Sequence, residues 1–191
     1  MIPVVARVAK SRGRRWILLA LFAGTLLFGA LQLPSLGDMS DRGVGIVELE
    51  LSRTSEAAAR HYDELGEAGR DAARTSLYLD YPYLVFYGLF FAAACLVVAE
   101  RAAERGMPRL ARPGRPLAVG ALVGAACDAV ENVALLRVLA GHTAEPWPGI
   151  AYGFAAAKFA LTFAAAVYAI VGFVITATRG PARTPPPAVP G

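Results

Sequence analysis

Hydrophobic residues along this chain gather in four long blocks, Trp16–Leu33, Tyr81–Ala99, Pro116–Ala140 and Ile150–Ile175. Each is close to the roughly 20 apolar residues that carry a helix across a bilayer core. The pattern predicts an all-α fold, an integral membrane four-helix bundle over residues 16–178. Residues 34–80, between the first two blocks, follow other periods. Val47, Leu49 and Leu51 alternate with Glu48 and Glu50, as in a short extended piece. From Thr54 to Arg74, the positions Ala58, Tyr62, Leu65, Gly69 and Ala72 recur at helical spacing. That stripe predicts an extracytoplasmic amphipathic helix, lying on the membrane surface or across the outer end of the bundle. Gly66 and Gly69 weaken it or let it bend. Gly106, Pro108, Pro113 and Gly114 break the chain between spans two and three. The connection around Pro146, Pro148 and Gly149 is short, so spans three and four should be antiparallel neighbours. Residues 179–191 are too rich in proline for helix and are expected to be disordered.

Charge gives this arrangement a direction. Arg7, Lys10, Arg12, Arg14 and Arg15 precede the first span. Arg101, Arg105, Arg109, Arg112 and Arg115 fall between the second and third, against only Glu100 and Glu104. Residues 34–79 instead hold nine acidic and five basic side chains. Basic loops mark the cytoplasmic side, so both termini, with the basic segment 1–15, are expected in the cytoplasm and residues 34–80 outside. The net charge of +4 then reflects topology and contact with anionic headgroups. Membrane lipids are the expected partners, and nucleic acid is not. The basic flank of the first block also suits a signal peptide, but with no clear A-x-A site the block reads as an uncleaved anchor.

Several chemistries find no support in the pattern. Cys95 and Cys127 lie inside predicted helices without CxxC spacing, and both read as buried small residues. His61 and His142 fall outside the spans, leaving no histidine zinc site within the bundle. No nucleophilic triad, P-loop or dinucleotide fingerprint is present. Neither a metal nor a cofactor is expected.

What stands out is a polar interruption of the third block at Asp128, Glu131 and Asn132. Spacings of i, i+3 and i+4 put the three on one helix face. An ionisable group near a bilayer centre costs about 2.5–3.5 kcal/mol on insertion scales and normally faces a cavity or a partner charge. The fourth block supplies that charge in Lys158. At 1.5 Å per residue, Glu131 lies about 13 Å and Lys158 about 12 Å below the outer ends of their spans, so they can meet at one depth. Lys158 is expected to pair with Glu131 or Asp128, with Asn132 hydrogen-bonding in the remaining gap. Small residues, among them the Gly120-x-x-x-Gly124 motif and Ala151, Ala155 and Ala165, allow the close helix approach this needs. The same network also fits a purely structural role that fixes helix register.

The second block adds a stripe of Asp80, Tyr83 and Tyr87 that would line a passage to the cluster. Asp80 precedes Tyr81 and Pro82 and equally suits a helix cap. Tyr81, Tyr83 and Tyr152 also suit interfacial anchors. A carboxylate site for a hard cation is disfavoured by Lys158, and Arg137 points away from the cluster to snorkel toward headgroups.

These residues bring a resemblance with them. LELSRT from Leu49 to Thr54, LDYPYLVFYG from Leu79 to Gly88, DAVEN from Asp128 to Asn132 and the lysine of AAAKFAL are similar to a bacterial family of small four-span membrane proteins, with D-x-x-E-N in span three and a lysine in span four. The similarity runs from about Val47 to Leu161, and Leu49 stands where the family has an aromatic residue. It implies a bacterial inner-membrane location and nominates Glu50, Asp80, Tyr87, Asp128, Glu131, Asn132 and Lys158, without supplying an activity.

The function expected is an outward-facing intramembrane pocket for a small amphiphile or lipid. Glu50, Asp80, Tyr83, Tyr87 and Asn132 would bind it. If the protein is an enzyme, Asp128, Glu131 and Lys158 would carry acid–base chemistry. The alternatives are a proton- or ion-coupled transport component, which with four spans would have to form an oligomer, and a structural or accessory subunit.

Overall fold

A computed structural model of the protein describes residues 13–178. Most of the basic N-terminal segment, with Arg7, Lys10 and Arg12, and the proline-rich tail 179–191 lie outside the described residues. Six helices follow in order: α1 (Arg14–Ser40), α2 (Ile46–Glu50), α3 (Ser55–Glu104), α4 (Pro108–Ala111), α5 (Gly114–Leu139) and α6 (Trp147–Thr178). Four are long and apolar enough to cross a membrane: α1, α3, α5 extended by α4, and α6. Helix is the form such sequences take in lipid, because it satisfies every backbone group within the segment.

Helix α3 is the centre of the arrangement and packs on α1, α5 and α6, while α5 and α6 form the other large interface. Helix α1 is peripheral: 11% of its apolar stretch is buried within the protein, against 56% for α3. It rests principally on α3 and has little or no contact with α6. Large apolar side chains such as Leu33, Phe163 and Ile170 project outward, which suits a lipid-facing surface. Within the core, Ala92, Ala93, Cys95, Val97, Val98, Ala118 and Ala121 pack where α3 meets α5 and α6. Cys95 is buried, whereas Cys127 is only half-buried. It neighbours the inward-facing Asp128 and so lies on the flank of α5.

Residues 46–50 are helical and not extended. Among the described residues no strand lies beside them, and an isolated extended piece would leave its backbone donors unpaired. A single turn pairs them, Leu49 N–H donating to the Gly45 carbonyl at 3.2 Å and Leu51 N–H to that of Val47 at 2.9 Å. The turn also buries the neighbours Leu49 and Glu50 together, leaving Val47 and Leu51 exposed. Alternation in the sequence pointed to the wrong period.

The amphipathic helix also differs from its expected bounds. It does not end near Arg74 but runs on through Asp80 and Pro82 as α3. Thr54 caps its start, its hydroxyl accepting from Ala57 N–H at 3.2 Å. The one break is Gly66, at φ +60° and ψ −174°, a conformation open to glycine and costly for other residues. Residues 55–65 therefore form a limb that turns across the end of the bundle. Ser55 Oγ accepts from Glu145 N–H at 3.1 Å, and Leu65 is wholly buried. Below the break, Arg74 donates to the terminal carbonyl of α5, Leu139 O, at 2.6 Å. The first span is likewise longer than its apolar block, continuing through Pro34 to Ser40.

Candidate functional site

Two glycines bring the site together. On α5, a Cβ at Gly124 would come within 2.8 Å of Thr162 Oγ1 and 3.6 Å of the Lys158 carbonyl, so glycine lets α6 close on α5 one turn before Asp128. On α3, a Cβ at Gly88 would meet the Ala125 Cβ at 2.7 Å, so α3 closes on α5 beside Tyr87. Asp128 is thereby placed between two partners. Lys158 Nζ donates to its Oδ1 at 3.0 Å and the Tyr87 hydroxyl to its Oδ2 at 2.7 Å.

Lys158 collects three carboxylates. Its Nζ lies 2.8 Å from Glu131 Oε2, 3.0 Å from Asp128 Oδ1 and 3.4 Å from Glu50 Oε1. Neither Glu131 oxygen makes a hydrogen bond among the described residues although the residue is fully buried, so the ion pair through Oε2 is what compensates its charge. The ammonium thus occupies the centre that a cation would take in an all-carboxylate cage. Glu50 reaches it because α2 dips into the end of the bundle with Leu49 anchored among Met39, Leu65, Leu77 and Leu135. Burial pushes the Glu50 carboxyl above the ordinary glutamate range, and the Lys158 ammonium opposes that shift.

Asp80 does not cap a helix end. It lies within α3, where Asn132 Nδ2 donates to its Oδ2 at 2.7 Å. Tyr83 is in ring contact with Tyr87, with centroids 5.2 Å apart, and borders a cavity. Of the sequence-nominated residues, Glu50, Asp80, Tyr83, Tyr87, Asp128, Asn132 and Lys158 all line that cavity. Glu131 lies behind Lys158, outside the lining. Tyr152 is paired with Arg53 at 5.5 Å, and Arg137 is exposed over the Trp147 ring at 5.5 Å, both away from the cluster.

The cavity measures about 370 Å³ and runs beneath α2 between α1 and α6. Its wall is mixed: Leu36, Phe91 and Phe159 are apolar, Asp80 and Asp128 acidic. Two polar contributors, Gln32 and Ser76, went unread in the sequence. Ser76 donates to Gln32 Oε1 at 3.1 Å across the α1–α3 contact, and Thr162 Oγ1 is buried without a hydrogen-bond partner. Gln32 carried the detectable signal, as a lone amide inside an apolar block that normally turns to a partner.

Chemically, the site can hold an amphiphile with its tail against the aromatic wall and its polar end among carboxyls and phenols. Lys158 is engaged by acids and has little freedom to grip an anion. Asp128, bridged to both Tyr87 and Lys158, is the carboxyl best placed to exchange a proton with something in the cavity. No protein-family model, curated protein or solved structure matches the chain.

Proposed function

We propose that this protein, in a bacterial inner membrane with both termini cytoplasmic and akin to the four-span group, binds a small amphiphile in an outward-facing pocket entered from the lipid. The observation that carries the reading is the acid-lined cavity to which both α1 and α6 contribute. Helix α1 leans on α3 alone for most of its length, so the gap beside it suits sideways entry of a lipid-like molecule. Half-exposed Phe159 stands at that mouth. The bound headgroup is a cation or hydrogen-bond donor and not a phosphate. Three carboxyls, Glu50, Asp128 and Glu131, share the ammonium of Lys158, and a fourth, Asp80, lines the same cavity on Asn132, so a further positive group is complemented there and a further negative one repelled. The aromatic rings of Tyr83, Tyr87 and Phe159 add the faces that attract ammonium groups.

In the enzymatic form of this reading, Asp128 is the acid or base, Tyr87 relays or orients, and Lys158 fixes the carboxylates. The packed core of Ala92, Cys95, Val98 and Ala121 favours a blind pocket over a continuous transport path. The test is mass spectrometry of the protein released from mild detergent. The wild type should carry a co-purified amphiphile bearing an amine or hydroxyl headgroup, and D80N/Y87F should lose it. A wild type with no adduct, or an adduct retained equally by the variant, would refute the proposal.

A further inference from the structure

The opposite end of the bundle carries a second cavity of about 710 Å³, formed by the end of α3, the turn at Gly106 and Met107, α4, and the start of α5. Its inner wall is apolar, from Leu96, Ala99, Met107 and Ala111, and Arg112 and Arg115 stand in the same lining. Both arginines are exposed, and neither side chain has a hydrogen bond or ion pair among the described residues. Three positions apart, they straddle the Pro113–Gly114 junction between α4 and α5, which puts both on one cleft. The acid in the lining, Glu100, lies 3.8 Å from Arg14. Around it this end of the protein is strongly basic, with Arg14, Arg15, Arg101, Arg105, Arg109, Arg112 and Arg115 against Glu100 and Glu104.

We propose that this cleft is a binding site for an anionic lipid phosphate. A topological bias for basic loops requires only that arginines lie near the membrane. It does not require two unpaired guanidinium groups on the rim of a cleft with an apolar wall. Guanidinium forks match phosphate oxygens in pairs, and basic pockets between spans are a recurrent form of anionic headgroup site. Here Arg112 and Arg115 hold the phosphate while an acyl chain runs along Leu96, Ala99 and Met107. The site is independent of the acid-lined pocket and selects the opposite headgroup charge.

The full chain in mild detergent should retain added phosphatidylglycerol, counted as bound lipid by native mass spectrometry, in preference to phosphatidylcholine. R112A/R115A should weaken that retention by about tenfold or more, equivalent to about 1.4 kcal/mol. Because neither side chain has a partner in the fold, the double change removes no contact that the helices need. R109A, an exposed arginine outside the lining, should bind as the wild type does. Equal retention of the two lipids, or equal losses in R109A and R112A/R115A, would overturn the proposal. Competition by inorganic phosphate as strong as by phosphatidylglycerol would also overturn it, since the apolar wall would then contribute nothing.

Discussion

Replacing Lys158 by methionine removes the one ammonium that, among the described residues, faces Glu50, Asp128 and Glu131, which approach it at 3.4, 3.0 and 2.8 Å. Methionine keeps much of the volume, so the loss is electrostatic more than steric. Breaking a buried pair by deleting one partner typically costs about 3–5 kcal/mol, because a buried charge is left uncompensated. For a chain of this size that corresponds to roughly 6–20 °C in the unfolding midpoint. Removing Glu131 together with Lys158 should recover only part of the loss, since Asp128 and Glu50 remain. The fully neutral set K158M/E50Q/D128N/E131Q should recover most of it, because apolar or neutral replacement of a whole buried network is often tolerated. Thermal unfolding in detergent at neutral pH measures all three variants. A midpoint for K158M within about 2 °C of the wild type, no more than the effect of about 1 kcal/mol, would refute the coupling. So would a neutral set as unstable as K158M alone.

Glu50 supplies a pH prediction. Its carboxyl is held above the ordinary value of 4.5 by burial, so the folded protein keeps that proton to higher pH than the unfolded chain does. The corresponding stability is fully present below the ordinary value and is lost as pH rises through the raised one. E50Q should flatten this part of the stability profile, and an unchanged slope would contradict the assignment. At Gly66, φ is +60° with ψ −174°, a region open essentially to glycine, and G66A should cost about 1–3 kcal/mol of backbone strain; an unchanged unfolding midpoint would show that the break is not needed. Tyr62 is half-buried under Arg70, 4.3 Å from its ring, while Glu64 is exposed. A cysteine at Glu64 should therefore label from outside intact cells much faster than one at Tyr62. Equal labelling would argue against the covering limb, and labelling only in broken cells against the orientation.

Much of this architecture was legible because membrane spans write themselves in long apolar runs, and because a buried lysine needs acids at its own depth. Lys158, Asp128, Glu131 and Asn132 could be placed together from block ends and helical rise alone. Glu50 could not be assigned by period, since five residues of Ile46–Glu50 are too few to separate alternation from one helical turn. Its position depends on Leu49 finding a tertiary pocket. Pro82 misled for a related reason. Proline in a first turn suits a helix entrance, but here the helix continues through that position. The lateral opening beside α1 has no local signal, because it arises from which helices fail to meet.

The central claim is that the acid-lined cavity holds an amphiphile admitted from the lipid. A high-resolution density map of the protein in a lipid nanodisc tests it most directly. The account predicts elongated density between α1 and α6, with its polar end beside Asp80 and Tyr87 and its tail along Phe91 and Phe159. A dry cavity closed by contact of α1 with α6, or a continuous file of water running past Lys158 to the arginine-rich end, would contradict it.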